Sequence, residues 1–204
     1  MKLGKQFAGM LAAILLTASV TMAEDGKKAT TYKVDASKSE LKWNGKKVTG
    51  EHFGVITLKE GSFSLDGAKL TAGSFVADMN SIVVQDITDK EYNGKLLGHL
   101  KSDDFFSVEK HPTATFVLTK ATPKANGTID VAGNLTIKGI TKPISFPVTV
   151  SPSKDGASVK GTMVVDRAKY DMKFRSKSFF DEATLGDKLV YDDFTIEVNL
   201  VAKK

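Results

Sequence analysis

Apolar and polar residues alternate along much of this chain. The alternation is clearest in four stretches, where an apolar residue or a glycine stands at every second position: residues 129–137, 144–150, 159–165 and 194–200. Less regular alternation appears near residues 41–43, 56–58, 63–65, 75–79 and 116–118. Because successive side chains of a strand point to opposite faces, each stretch predicts a β-strand with one apolar and one polar face.

Short turn sequences separate these predicted strands. Asp66-Gly67, Asn126-Gly127 and Asp155-Gly156 are pairs that accept the positive φ angles of tight hairpin turns. Strands joined by such turns predict an antiparallel meander of eight or nine strands, and therefore an all-β fold.

One segment breaks the two-residue period. Thr88 and Glu91 have the spacing of a helix capping box, with Thr88 as the N-cap. Leu96, Leu97 and Leu100 then recur at helical spacing, and a further helical turn is expected to carry Phe105 and Phe106. These residues predict a short helical insert that covers an apolar surface.

Alternation alone leaves two architectures open. A β-sandwich would fill its core with interdigitated side chains, whereas a closed eight-stranded barrel has room for side chains or one slender ligand. The helical insert favours the barrel, since it predicts a cover for an open barrel end. Pro147 cannot donate a ladder hydrogen bond, so it predicts a bulge or a weak seam.

The first 23 residues have the layout of a secretory signal peptide. Lys2 and Lys5 precede an apolar run, and Thr21 and Ala23 are small residues before a cleavage site after Ala23. A membrane anchor is the alternative, but the run is shorter than the roughly 20 residues that a spanning helix needs. We expect a signal peptide over 1–23, a flexible lead-in over 24–31, and one domain over 32–204. The expected location is the periplasm, with secretion as the alternative.

Charge and cysteine content exclude several function classes. Without Lys2 and Lys5, 27 of the 29 basic residues remain against 24 acidic residues, and the two signs are mixed along the chain. This pattern gives no basic footprint for nucleic acid. The sequence contains no cysteine, which excludes disulfides, thiol catalysis and cysteine-ligated metals.

We find no sequence motif that predicts a catalytic site, a cofactor or a metal. The three histidines do not have the spacing of zinc ligands. Two acidic groups, Asp86 with Asp89 and Asp181-Glu182 with Asp187, do not follow a calcium-loop pattern and are interpreted as solvated loop charge. Two basic clusters, Lys46-Lys47 and residues 173–177, fit contact with a phosphate or an anionic membrane, or equally the protection of a strand edge.

Several segments resemble the YceI-like family of bacterial polyisoprenoid-binding proteins. They are Asp78-Met79-Asn80-Ser81-Ile82, the run from His99 through Phe106 to Pro112 and Phe116, and the run from Gly133 to Pro143. Residues 32–35 and 194–201 extend the similarity over nearly the whole predicted domain. The resemblance implies an extended, lipocalin-like, eight-stranded antiparallel barrel that binds an isoprenoid chain, such as a polyprenyl phosphate or a quinone tail. One departure is Tyr170-Asp171, where the family often has an aromatic residue followed by glycine.

From the apolar faces and this resemblance we predict the ligand-binding residues. They are Trp43, Phe75, Leu97, Leu100, Phe105, Phe106, Phe116, Leu135, Ile137, Phe146, Phe174 and Phe194, with His99, Arg167 and Arg175 as polar groups at the cavity mouth. The leading hypothesis is a carrier that sequesters or transports the lipid, as a monomer or homodimer, with transient contact to the envelope membrane. The alternatives are a small barrel enzyme with a polar pair in its lumen, and a filled barrel that acts as an envelope stress or interaction protein.

Overall fold

A computed structural model describes residues 29–204, and within them nine strands and two short α-helices. The strands are β1 (Thr30–Val34), β2 (Glu40–Lys47), β3 (Gly50–Asp66), β4 (Lys69–Val84), β5 (Thr113–Pro123), β6 (Ile129–Ile137), β7 (Ile140–Pro152), β8 (Gly156–Asp166) and β9 (Val190–Lys203). The helices are α1 (Lys90–Lys101) and α2 (Glu182–Leu185), and 3₁₀ turns cover Ala36–Lys38, Arg167–Tyr170 and Gly186–Lys188.

The strands close into a barrel with eight positions around its circumference. The order is β3-β2-β9-β8-β7-β6-β5-β4, and β4 pairs again with β3. The ninth strand, β1, is short and pairs with β3 and β9 beyond the start of β2. Strands β1 and β2 therefore fill the same place between β3 and β9, one after the other along the barrel. All the pairings are antiparallel, and the predicted eight-stranded barrel is confirmed. The sandwich alternative is wrong, because closure removes the sheet edges that a sandwich keeps.

The alternation of sequence becomes an alternation of burial. In β6, Ile129, Val131, Leu135 and Ile137 are buried, while the residues between them are more exposed. A two-residue hairpin joins β6 to β7, and its residues Lys138 and Gly139 both have positive φ angles. This is the turn geometry that matches the twist of paired strands.

The predicted turns are present, with one difference. Gly67 and Gly127 have the expected positive φ angles of 58° and 82°. Gly156, in contrast, begins β8, and an added Cβ there would lie 2.1 Å from the carbonyl oxygen of Ala202. Gly156 therefore allows β8 to pack closely against β9 and does not form the turn.

The helical insert leaves the barrel after β4 and returns at β5. Its N-cap is Asp89, whose carboxylate accepts hydrogen bonds from the backbone N–H groups of Glu91 and Tyr92. The predicted N-cap Thr88 is wrong by one residue, because Asp89 satisfies the free N–H groups of the first turn instead. Leu100 is buried, and after α1 a hydrogen-bonded turn carries Phe105 and Phe106 onto the core. We call this end of the barrel, which also holds residues 167–189, the helical end.

The predicted weak seam lies beside Pro147. β7 pairs with β8 only from Val148 to Pro152, whereas β7 remains paired with β6 from Ile140 to Val148. Towards the helical end β7 and β8 therefore separate. The 3₁₀ turn Arg167–Tyr170 contacts β7 there and buries Tyr170.

The N-terminal predictions fall largely outside this description. The predicted signal peptide and residues 24–28 of the predicted lead-in lie outside the described residues. β1 begins at Thr30, two residues before the predicted domain start at Tyr32, and Thr31 Oγ1 lies 2.9 Å from Ser64 Oγ. Within 29–204, no helix is long and apolar enough to cross a membrane.

Candidate ligand-binding cavity

The barrel encloses a cavity with a volume of about 190 Å³. All eight positions of the barrel contribute to its wall. Leu100, Phe105 and Phe106 line it from the helical insert, and Met172 lines it from the segment after β8. The core is therefore hollow rather than filled, although several aromatic rings reach into the lumen.

The aromatic rings of the wall are accommodated by glycines on neighbouring strands. A Cβ at Gly61 would lie 2.7 Å from the ring of Phe75, and a Cβ at Gly133 would lie 2.4 Å from the ring of Phe116. Phe116 also contacts Phe75 and Phe146, with ring centroids 6.4 Å and 5.5 Å apart. Phe75 and Phe116 each lie over a glycine of the adjacent strand, so these two rings rest along the wall and leave part of the lumen open.

Most of the predicted site residues lie in this wall. The structure brings together Trp43, Phe75, Leu100, Phe105, Phe106, Phe116, Leu135, Ile137, Phe146, Phe194 and Arg167. Leu97, His99 and Phe174 do not line the cavity. Leu97 precedes Leu100 by about one turn on the same face of α1, and it is partly buried and packs against the core without lining the cavity.

His99 and Phe174 instead form a contact between the two segments of the helical end. The His99 ring meets the rings of Phe174 and Phe105 edge to face, at centroid distances of 4.4 Å and 5.0 Å. His99 Nε2 lies 3.2 Å from Asp104 Oδ2, which is an exposed carboxylate. This histidine therefore joins α1 to the segment after β8, outside the lumen.

Arg167 is a buried cation that holds that segment in place. Its guanidinium donates hydrogen bonds to three backbone carbonyls, those of Met172 (2.8 Å), Val190 (2.9 Å) and Tyr191 (3.0 Å). Nη2 also lies 3.4 Å from Asp192 Oδ1. Burial lowers the pKa of Arg167, and the charge of Asp192 acts in the opposite direction. Most donors of Arg167 are thus engaged by the protein itself, which points to a positioning role at the cavity mouth.

The cavity reaches the surface near the start of β9. Of the described residues that line it, only Lys46 and Tyr191 are exposed. Arg175, predicted at the mouth, is exposed and does not line the cavity, but its carbonyl oxygen accepts a hydrogen bond of 3.0 Å from the N–H of Val190, which does. Arg175 has a φ of 50° and packs its guanidinium on the Phe174 ring.

Sequence reasoning missed part of the wall. β3 and β4 add Ile56, Leu58, Phe63, Leu70, Met79 and Ile82, and the irregular segments add Met172, Val190 and Tyr191. Irregular register between β3 and β4, for example between Val55 and Thr57, interrupts the two-residue period in these strands. Counting the apolar residues on both sides of each irregularity could have identified the wall residues of β3 and β4. No periodic pattern marks Met172, Val190 and Tyr191.

The acidic groups have local structural partners. Asp86 lies 2.7 Å from His52 Nδ1 and accepts the N–H of Phe53, and Asp181 caps α2 by accepting from Thr184. Among residues 29–204 no three His, Asp or Glu side chains stand close enough together to hold a metal ion.

The fold and cavity define a closed antiparallel β-barrel whose wall is built from apolar side chains and whose helical end carries a short cover. The family model of the YceI-like domain matches residues 32–202, and the chain belongs to this family.

Relatives and solved structures agree with this assignment. A UPF0312 protein of Vibrio parahaemolyticus is 30% identical over 173 residues, which cover 78% of this chain and 87% of that one. One from Shewanella denitrificans is 36% identical over 97 residues, and here the match covers only about half of each chain, 47% and 48%.

Among solved structures, Burkholderia cenocepacia BcnA superposes with a TM-score of 0.63 at 26% identity, covering 83% of this chain and 99% of that one. A polyisoprenoid binding domain from Saccharophagus degradans superposes with a TM-score of 0.55 at 18% identity, covering 84% of this chain and 97% of that one, and it shows the fold alone.

Proposed function

We propose that this protein binds one isoprenoid lipid by its apolar chain, and that it sequesters or carries this lipid in the periplasm. The observation that carries the proposal is the cavity of about 190 Å³, which is lined by aliphatic and aromatic side chains and opens to the surface beside Lys46 and Tyr191. Apolar cavities of this order stay dry and bind apolar molecules.

The energetics suit a prenyl chain. Each buried CH₂ group contributes roughly 0.8 kcal/mol, so two or three isoprene units supply useful affinity. Ordering a flexible chain and losing its free motion offset much of that gain. The net affinity therefore depends on how completely the chain fills the lumen. Polyprenyl phosphates and quinones both carry such a chain, and both are candidate ligands.

Two further observations support binding. The chain belongs to the YceI-like family, and a neighbour with the same fold is described as a polyisoprenoid binding domain. The enzyme alternative needs a polar pair inside the lumen, but the His99–Asp104 pair is not part of the cavity wall. The filled-barrel alternative needs a solid core, whereas this core is hollow.

Export is part of the proposal and rests on the sequence of residues 1–23. We expect the protein isolated from the cell envelope to begin at Glu24. N-terminal sequencing of protein from the periplasmic fraction and from the culture medium tests both the cleavage and the location. Protein that keeps residues 1–23 and stays in the cytoplasm would contradict this part.

We further propose that the helical end contacts an anionic membrane surface while the lipid is exchanged. Exposed apolar side chains lie at the opening or on the segments beside it, namely Tyr191, Val48, Phe179 and Phe180. The N–H of Val48 donates to the Leu189 carbonyl, and Ser178 Oγ donates to Asp192 Oδ2. Lys173 lies over the Phe179 ring, 5.4 Å from its centroid, so a cation accompanies the aromatics. Aromatic and basic side chains together favour a lipid interface.

Vesicle sedimentation tests this contact. We expect more protein to sediment with phosphatidylglycerol-containing vesicles than with phosphatidylcholine vesicles, and less after Phe179→Ser with Phe180→Ser. Val117→Ser is the matched control, because Val117 has a similar exposure but lies on the outer face of strand β5. Equal sedimentation of all proteins would overturn the contact. Analytical ultracentrifugation of the same preparations decides between a monomer and a homodimer.

The binding proposal itself is tested by filling the cavity. Ala77 and Ala114 face each other across β4 and β5, and both line the lumen. Ala114→Phe is expected to abolish uptake of a prenyl lipid while the circular dichroism spectrum is retained. Val117→Phe adds the same ring on the outer face of the same strand and should bind normally.

Extraction provides an independent check of the same proposal. Purified protein is treated with organic solvent, and the extract is analysed by mass spectrometry. Recovery of a prenyl lipid from the native protein and not from Ala114→Phe supports the proposal. An empty extract, together with no uptake of a quinone or a polyprenyl phosphate in vitro, would refute it.

A further inference from the structure

The strand ladder is interrupted where the cavity opens. Gly45 pairs with Phe194 and Lys47 pairs with Val190, so the single residue Lys46 of β2 faces the three residues 191–193 of β9. An excess of residues on one strand breaks the regular hydrogen bonding and redirects side chains. The pairing resumes at Lys47 and Val190, so the interruption is a local bulge, and the exposed lining residues of the cavity lie at this bulge near the helical end.

Lys46 and Tyr191 stand on the two sides of this opening. Both line the cavity and both are exposed, and we call them together with the gap in the ladder the lateral gate. The two charged residues of the cavity wall within 29–204 are Lys46 and Arg167. Arg167 is engaged by three carbonyls, which leaves the Lys46 ammonium as the cation available to a guest.

The existing contact of Lys46 is weak enough to be replaced. Its Nζ lies 3.9 Å from Glu51 Oε2, which is longer than a hydrogen bond, and that oxygen already accepts a hydrogen bond of 3.2 Å from Asn44. Ion pairs between exposed side chains contribute little to stability. A ligand anion at the gate can therefore take this ammonium without breaking a strong interaction.

We propose, resting on the proposed function, that the lateral gate holds the head group of the lipid and selects an anionic head, such as a prenyl phosphate, over an uncharged one. An apolar lumen accepts the chain but not a charge, so the phosphate must stay at the surface. There the Lys46 ammonium and the Tyr191 hydroxyl supply hydrogen-bond donors, and charge-assisted bonds are the stronger kind. The backbone of the basic segment 173–177 lies beside the gate, since the Arg175 carbonyl accepts a hydrogen bond from the N–H of Val190.

Two lipids with the same prenyl chain, one a monophosphate and the other the free alcohol, test the gate. Trp43 is the only tryptophan and lines the cavity, so its fluorescence reports entry of either chain. We expect the native protein to bind the phosphate roughly tenfold more tightly than the alcohol at low ionic strength. This preference should shrink as salt is added.

Lys46→Met is expected to bring the two affinities within about twofold by weakening the phosphate alone, and Lys46→Glu to reverse their order. Tyr191→Phe should weaken the phosphate by roughly threefold. Lys42→Met is the matched control. Lys42 lies on the same strand with similar exposure and a similar contact, 3.4 Å from Glu40, but does not line the cavity.

The outcomes separate the two proposals. Equal affinity of the native protein for phosphate and alcohol, or a preference that persists in Lys46→Met and Lys46→Glu, overturns the gate and leaves lipid binding intact. Failure of the native protein to bind either lipid overturns the proposed function, and the gate with it. Circular dichroism of each variant verifies that the barrel has formed.

Discussion

The indole nitrogen of Trp43 donates a hydrogen bond of 3.1 Å to the backbone carbonyl of Val83, two strands away. Trp43 lies on β2 and Val83 on β4, and between them Trp43 pairs with Gly54 of β3. The indole can cross β3 because Gly54 has no side chain. A Cβ there would lie 2.9 Å from the indole nitrogen and 1.9 Å from the Val83 carbonyl oxygen. One missing side chain therefore positions the largest residue of the cavity wall.

Gly54→Ala is expected to destabilise the protein, because its methyl group must displace both the indole and a backbone carbonyl. Overpacking of this kind costs about 1–3 kcal/mol, and the backbone clash places this variant at the upper end. The free energy of unfolding from urea titrations measures the effect, and Trp43 emission reports the displaced ring.

Gly45→Ala is the control for this substitution. Gly45 lies on β2 next to Trp43 in the lumen-facing row, and an added Cβ there meets nothing within 4 Å. We expect it to change the unfolding free energy by less than about 1 kcal/mol. Equal losses in the two variants would show that the close approach at Gly54 is not the cause.

Arg167→Met is expected to loosen the segment between β8 and β9. The substitution keeps much of the buried volume but removes the donors to the carbonyls of Met172, Val190 and Tyr191 and leaves Asp192 without its cation. Removing one partner of a buried ion pair costs about 3–5 kcal/mol. Hydrogen exchange should therefore become faster over 171–192.

A second variant identifies the cause of that loss. Arg167→Met combined with Asp192→Asn removes the uncompensated carboxylate and should recover part of the stability. Lys169→Met is a surface control, since its contact with Asp166 at 3.6 Å is exposed. Unchanged exchange over 171–192 in Arg167→Met would mean that the guanidinium does not hold this segment.

The regular part of the barrel could be predicted from the sequence because burial there follows a two-residue period. Val131, Leu135 and Phe146 lie in strands with uninterrupted register, so the alternation read from the chain is the alternation of the wall. The positive φ angles of Gly67 and Gly127 follow from turn chemistry in the same way.

The rest depends on contacts between residues far apart in the chain. His99 packs on Phe174, 75 positions later, and Arg167 bonds to Tyr191. No local period encodes such pairs, so two of the three polar residues predicted at the mouth, His99 and Arg175, do not line the cavity. In the sequence Lys46 belongs to a basic cluster, but its place in the cavity wall comes from the irregular register between β2 and β9.

Stability should fall in acid, partly through Asp86. Burial of its carboxyl opposes ionisation, but hydrogen bonds from His52 and from the N–H of Phe53 outweigh burial, so the pKa of Asp86 is lower than usual. A pKa that is lower in the folded than in the unfolded state stabilises the fold above the ordinary carboxyl value of about 3.9. This contribution is lost as the pH falls through the lowered pKa.

Asp86→Asn should therefore be less stable than the native protein at pH 7, by about 1–2 kcal/mol. The gap should narrow as the pH falls below about 4, because the carboxyl of the unfolded chain is protonated first and the folded carboxyl follows at its lowered pKa. Urea unfolding at pH 7 and pH 3 measures both values. Asp155→Asn, in an exposed hairpin turn, is expected to show little difference at either pH. A gap of the same size at both pH values would exclude the charged form of Asp86 as its source.

Asp171 occupies a backbone conformation that favours glycine. It follows the 3₁₀ turn Arg167–Tyr170 with a φ of 57° and a ψ of 34°, which is the left-handed region. The left-handed conformation costs a residue with a side chain roughly 1–2 kcal/mol, less for Asp than for most others.

Asp171→Gly and Asp171→Ala both remove the exposed ion pair with Lys173, at 3.0 Å, so the difference between them reports the backbone alone. We expect the glycine variant to be more stable than the alanine variant by roughly 1 kcal/mol, because only alanine adds a Cβ that resists positive φ. Thermal and urea unfolding of the two proteins measure this difference. Equal stability would mean that residue 171 leaves the left-handed region when its carboxylate is removed, which a crystal structure of the alanine variant would show directly.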